Sequence, residues 1–403
     1  MNTTDRTRRL DLDWIRIAAF GLLIAYHVGM YYVSWGWHIK SPFASDTLEP
    51  LMLALNPWRL SLLFLVSGCA TAFLLRDTPR AGLGRIARKR SRFLLVPLVF
   101  GMLLVVPPQT YYEAVDKLGF ADGYLAFWHR YLVADHSLCH AGECLRVPTW
   151  NHLWFVVYLW AYTMLLLALR AFAPAGLAAA LRRPLAGWGL LCWPWLWLAF
   201  ARVVLFPRFG MTHALVDDLY NHAQYLPVFA IGYLIARDDG AWDWLASRRW
   251  AMLALALAAY GVFLAYALHF STDNPPAESL RAAVRVVYAL LQWSAILATL
   301  GWARHLLAAR RDTRARAYLT DAVFCYYIVH QTAIIIAAHA MRPLGLAPAV
   351  EGPLLIAITV ATCAVSYEIA RRVPLLRPLF GIRGSRISLP VQVISRRPAG
   401  VSS

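Results

Sequence analysis

Ten apolar stretches, each near the 20 residues needed to cross roughly 30 Å of hydrocarbon, recur along this 403-residue chain. They cover 14–33, 58–75, 93–110, 152–172, 185–206, 222–236, 250–270, 281–302, 322–340 and 352–370. Only 15% of the residues are charged, against about 25% in ordinary soluble domains. The expectation is an all-α, polytopic integral membrane protein of about ten transmembrane helices. A single membrane domain then covers 1–381, and 382–403 is a basic C-terminal tail expected to lack fixed structure.

The net charge of +17 would point to nucleic acid on a soluble chain. Here it reports topology, because cytoplasmic segments collect Lys and Arg. With the N-terminus inside, 28 of the 39 basic residues fall in inner segments, six in outer loops and five in the spans themselves. Both termini are therefore expected in the cytoplasm, with no nucleic-acid partner and with membrane lipid around the spans. Arg16 interrupts the first apolar run and no small-residue cleavage site follows it, so that run reads as a retained helix rather than a signal peptide. No Walker or dinucleotide glycine pattern is present. In the longest outer loop, Cys139 and Cys144 read as a local disulfide. A zinc site adding His136 and His140 is the weaker reading, since the spacing matches no metal motif, and no metal is expected.

An ionisable side chain at membrane depth is costly and marks function by default. Arg16 and His27 lie eleven positions apart on the first span, which brings them within about 20° of the same helix face and about 16 Å apart along the axis. Arg59 opens the second span, and Ser67-Gly68 lies nearer its middle. Small residues at such a position more often serve close helix packing than nucleophilic chemistry. The segment 76–92 carries seven basic residues, among them Arg88, Lys89, Arg90 and Arg92. It suits either a polyanionic ligand or anionic lipid. His152 and Trp154 begin the fourth span, and His330 lies midway along the ninth.

Several of these residues fall in motifs that together resemble the membrane-bound acyltransferase family 3, most closely its glucan succinyltransferase branch. The motifs run in order: Leu10-Asp11-Leu12-Asp13-Trp14-Ile15-Arg16 with His27, Trp58-Arg59, Phe64-Leu65-Val66-Ser67-Gly68, Arg88 to Arg92 into Pro97, His152-Leu153-Trp154-Phe155, Tyr326 to His330, Tyr367-Glu368 and Leu376 to Gly381. Cys69 departs from the pattern, standing where an aromatic residue is frequent. The resemblance implies a bacterial inner-membrane enzyme. It would transfer an acetyl or succinyl group from cytoplasmic acyl-CoA to a hydroxyl of an extracytoplasmic glycan, with no tightly bound cofactor.

A sugar hydroxyl is a poor nucleophile at neutral pH and needs a base. Imidazole, with an intrinsic pKa near 6.5, is suited to the task. His27 is the expected base, Arg59 an oxyanion or carboxylate partner, and Ser67 a nearby hydrogen-bond donor. Arg16, Arg88, Lys89 and Arg92 are expected on the donor, and His152, Trp154 and His330 on the acceptor. No carboxylate is evident to orient His27, which leaves a tyrosine or a backbone carbonyl for that task. Direct transfer and a two-step route through acyl-His27 are both open. The rival reading is a secondary transporter or flippase with an intramembrane Arg/His pathway.

Overall fold

The computed structural model describes residues 9–174, 176–271, 274–308 and 312–382. The expected C-terminal tail from 383 onward therefore lies outside the described residues. Among the described residues the regular structure is helical apart from one short hairpin, β1 (Cys139–His140) with β2 (Glu143–Cys144). Its helices are α1 (Leu10–Tyr32), α2 (Glu49–Leu55), α3 (Arg59–Leu74), α4 (Leu83–Phe100), α5 (Pro107–Leu118), α6 (Gly123–Leu132), α7 (Trp154–Phe172) and α8 (Leu177–Arg182). They continue with α9 (Gly189–Phe200), α10 (Phe206–Phe209), α11 (Leu219–Ile235), α12 (Asp239–His269), α13 (Glu278–Leu307), α14 (Arg314–Met341) and α15 (Pro348–Arg372).

Among the described residues, nine helical stretches are long and apolar enough to cross a membrane. The expected span at 222–236 is α11, a shorter helix of 17 residues that is not among these nine. Its surroundings explain the difference. A helix enclosed by other helices need not be uniformly apolar, and α11 buries Asn221 and Gln224. Gln292 of α13 donates to Gln224 Oε1 (3.1 Å) and to Ser61 Oγ of α3 (2.8 Å), and Gln224 donates to Asn221 Oδ1 (3.0 Å). Where α11 crosses α3, a Cβ on Gly68 would lie 2.0 Å from Phe229 O, and one on Gly232 would lie 2.1 Å from Leu65 O. Glycine at both positions lets the two backbones touch. The buried Cys69 points its thiol at Gly232 O, 3.2 Å away. An aromatic side chain at 69 has no room there.

The basic segment is not a loop through its length. Residues from Leu83 onward are already helical, so Arg85 to Arg92 form the first turns of α4. A π-helical stretch, Gly101–Val105, joins α4 to α5 in one continuous helical run from Arg80 to Leu118. This run carries Gln109 and Glu113 to the far end of the bundle from Arg90. The longest of the expected outer loops, the one that holds Cys139 and Cys144, is thus largely structured by α5, α6 and the hairpin, with the two cysteines bonded to each other. Apolar side chains such as Trp193, Leu257, Val262, Val365 and Ile369 stand exposed on the outer faces of the spans. An outward belt of this kind is what hydrocarbon accommodates and water does not.

The start of α1 is pinned by ion pairs. Arg9 forks onto Asp11 at 2.9 and 2.6 Å. The buried Arg316 joins Asp13 to Asp312. Asp13 of the opening motif therefore clamps α1 to the start of α14 through Arg316, while Asp11 holds Arg9 at the helix start.

Candidate active site

Two cavities lie end to end inside the bundle. The first, about 460 Å³, is lined by His27 of α1, Arg59 of α3, His152, Trp154 and Tyr327, with His38 and Gln331. The second, about 430 Å³, is lined by Arg16, Ser67, Thr71, Arg90 and Asp321. Leu63, Phe155 and Tyr327 line both and form the wall between them. Because α1 and α3 run in opposite directions, the late part of α1 meets the beginning of α3 in the histidine cavity. The early part of α1 meets the end of α3 in the other. The co-facial placement of Arg16 and His27 becomes one residue in each cavity.

His27 is oriented by a second imidazole. His330 Nδ1 lies 2.8 Å from Tyr327 O and must donate to that carbonyl, which leaves His330 Nε2 as an acceptor. His27 Nδ1, 3.0 Å from His330 Nε2, is then the donor, and Nε2 of His27 carries the lone pair. The expected partner for His27, a tyrosine or a backbone carbonyl, is thus replaced by His330, with the Tyr327 carbonyl one step behind it. His330 is fully buried and absent from the cavity lining. It orients His27 and does not itself face the cavity. The relay needs no carboxylate, so no buried negative charge has to be stabilised in the span.

Arg59 is nine-tenths buried. Its Nη1 donates to Asn56 O (3.0 Å) and Asn56 Oδ1 (2.5 Å), and its guanidinium stacks 3.4 Å above the Tyr26 ring. No carboxylate pairs with it among the described residues, and its Nε has no hydrogen-bond partner there. It is a fixed cation beside His27 with capacity for an anion. His152 lines the cavity, yet both ring nitrogens are occupied: Nε2 donates to Tyr327 O (3.1 Å) and Ile328 O (3.2 Å), and Nδ1 accepts from Gln109 (3.3 Å). Trp154 lines the same wall, with Trp37 and Trp150 nearby.

The structure does not bring Ser67 to His27, since Ser67 lines the other cavity with Arg16. Arg16 donates to Thr320 O at 2.6 Å. Of the basic run, Arg88, Lys89 and Arg92 are exposed, and Arg90 is the member turned into the cavity. Helical phase decides this, because Arg90 lies one turn before Leu94, which is buried. That spacing was available in the sequence once 83–100 was read as helix.

The rim of the histidine cavity includes Thr212 and His213. Asp218 holds this loop by accepting from Thr212 N (3.1 Å), His213 N (2.9 Å), Tyr158 Oη (2.5 Å) and Asn221 Nδ2 (2.7 Å). Burial alone would raise its pKa, but these donors outweigh burial and hold the carboxyl below its ordinary value. A depressed carboxyl pKa contributes stability that is complete above the unfolded value, about 3.9, and is lost as pH falls through the folded value. Melting temperature in detergent is expected to drop on acidification below about pH 4. Asp218→Asn should be less stable at neutral pH and flatter across that window, and parallel profiles would remove Asp218 from this role.

A family profile described as an acyltransferase domain matches residues 9–368. Proteins named glucans biosynthesis protein C are similar in sequence. That of Salmonella gallinarum is 22% identical over 406 residues, covering 94% of this chain and 96% of the relative. That of Salmonella paratyphi A is 21% identical with the same coverage. That of Escherichia coli O6:K15:H31 is 26% identical over 165 residues, 41% of this chain and 40% of the relative. No solved structure matches the chain.

Proposed function

Because the chain belongs to the acyltransferase family whose domain spans residues 9–368, we propose that its two cavities are the donor and acceptor halves of an O-acyltransferase site. The donor is an acyl-CoA carrying an acetyl or succinyl group, presented from the cytoplasm. The acceptor is a hydroxyl of an extracytoplasmic glycan. The name shared by the similar proteins supports a glucan as that glycan, and the distribution of basic residues supports a bacterial inner membrane with the Arg16 end inward. The observation that carries the reading is the shared wall of Leu63, Phe155 and Tyr327. It supports a route by which a thioester from the Arg16 side meets a hydroxyl in the cavity that His27 lines.

In this reading the pantetheine arm occupies the Arg16 cavity, with Arg16 and Arg90 toward its polar groups. The exposed Arg88, Lys89 and Arg92 supply positive field for the nucleotide phosphates. His27 Nε2 takes the proton of the acceptor hydroxyl as its oxygen attacks the thioester carbonyl. Arg59 faces the charge that develops on the carbonyl oxygen. Collapse of the tetrahedral intermediate breaks the carbon–sulfur bond, and His27 returns the proton to the thiolate, so an ester and free coenzyme A leave. Ser67, in the donor half, is a hydrogen-bond partner for the arm rather than a nucleophile.

The test is release of coenzyme A and formation of a glycan ester by purified protein in lipid nanodiscs supplied with acetyl-CoA or succinyl-CoA and a glucan oligosaccharide. Movement of unmodified solute across liposomes with neither product would replace this reading by transport. Arg16→Ala should raise the acyl-CoA concentration for half-maximal rate about tenfold, the worth of one charge-assisted hydrogen bond. An unchanged requirement would remove Arg16 from the donor site.

A further inference from the structure

Gln331, next to His330 on α14, is almost wholly buried and lines the histidine cavity. A chain of hydrogen bonds fixes which way its amide points. Thr332 donates its hydroxyl proton to Val105 O (2.7 Å), so it must accept from Gln109 Nε2 (2.7 Å). That orients Gln109, whose second amide proton goes to His152 Nδ1. Its Oε1 accepts from Asn151 Nδ2 (3.2 Å) and from Gln331 Nε2 (3.1 Å). The other proton of Gln331 Nε2 goes to His38 Nε2 (2.9 Å). His38 is then an acceptor there and donates from Nδ1 to Glu113 (2.5 Å), which Lys117 also binds (2.6 Å). Both donors of Gln331 are committed, and a flip would set its carbonyl against Gln109 Oε1 and the His38 lone pair. Its Oε1 is left as an acceptor, locked from both sides and bonded to nothing else among the described residues.

We infer that Gln331 reads the acceptor. Its side-chain carbonyl accepts a hydrogen bond from a second hydroxyl of the sugar, beside the one that His27 deprotonates, so that the site selects vicinally hydroxylated acceptors over simple alcohols. His38 and Glu113 act through it as positioning residues. This inference rests on the acyl-transfer reading. A buried polar group that loses its partner discriminates strongly against an analogue lacking the hydroxyl, because the cost is that of leaving the group unpaired.

The experiment uses the full chain in nanodiscs with acyl-CoA and, as probe acceptors, methyl β-D-glucoside and its four monodeoxy derivatives. For the wild type, one deoxy derivative should require about tenfold more acceptor for half-maximal ester formation, the worth of one hydrogen bond. Gln331→Leu should raise the requirement for the parent glucoside by a similar factor, with the saturating rate changed far less. It should show no added penalty with that same deoxy derivative, as expected for two changes that delete one contact. Glu113→Ala should give a smaller shift of the same kind. Additive effects with every derivative, or an unchanged requirement in Gln331→Leu, would overturn the inference while leaving acyl transfer standing. If that variant does not fold, a wild-type series in which no derivative that keeps the acylated hydroxyl loses more than about threefold overturns it too. Absence of any glucoside ester with the wild type removes both readings.

Discussion

His27→Ala is expected to lower ester formation by a hundredfold to ten-thousandfold, the range typical of losing a general base, with the protein still inserted and monodisperse. The expectation follows from the relay, because among the described residues His27 alone presents an unoccupied imidazole lone pair to the cavity with its opposite nitrogen held by a fixed acceptor, the Nε2 of His38 being taken by Gln331. His152 cannot substitute, since both of its nitrogens are engaged by the backbone and Gln109. Burial holds the imidazole of His213 below its ordinary pKa even though Asp218 pulls the other way. His213 sits on the rim with its ring centroid 4.4 Å from that of Trp154, the planes tilted by 45°, and is not part of the shared wall. Ester formation and coenzyme A release should be measured together at saturating donor. Near-normal rates in a well-folded His27→Ala protein would eliminate His27 as the base, and the two-cavity argument would need another proton acceptor.

Gly68→Val is expected to cause the largest loss of folded protein, a drop of an order of magnitude or more in monodisperse yield. The crossing of α3 and α11 leaves no space for a Cβ, and the opposing atom is a backbone carbonyl that no rotamer change can move aside. Separating the helices would also pull Gln292 from Ser61 and Gln224, leaving amides unpaired inside the bundle. Gly261→Val on α12 is the control, since nothing lies within 4 Å of a Cβ built there. Equal yields for the two variants would show that the α3–α11 crossing tolerates separation.

Much of the site was legible in the sequence because the membrane makes polar residues conspicuous. Arg16, His27, Arg59 and His330 each interrupt an apolar run, and all four line or support the two cavities. What escaped was of another kind. His38, Gln109 and Glu113 lie outside the middle of any expected span, where a polar residue raises no question. Arg90 was indistinguishable from its basic neighbours until the helix assigned each a direction. Ser67 shares a helix with Arg59 but faces the opposite cavity, about 12 Å further along the axis.

The sequence by itself determined the class of molecule, the helical spans that carry the site and the residue types available for acyl transfer. Hydrocarbon tolerates little besides apolar helices, and each exception to that rule is visible one residue at a time. Only the tertiary structure decided which imidazole orients which, that a serine and a histidine of one proposed centre sit in separate cavities, and that Gln331 is left with one free oxygen. Those facts depend on hydrogen bonds between residues as far as 303 positions apart. Distance along a chain carries no information about which nitrogen will face which oxygen once the helices have packed.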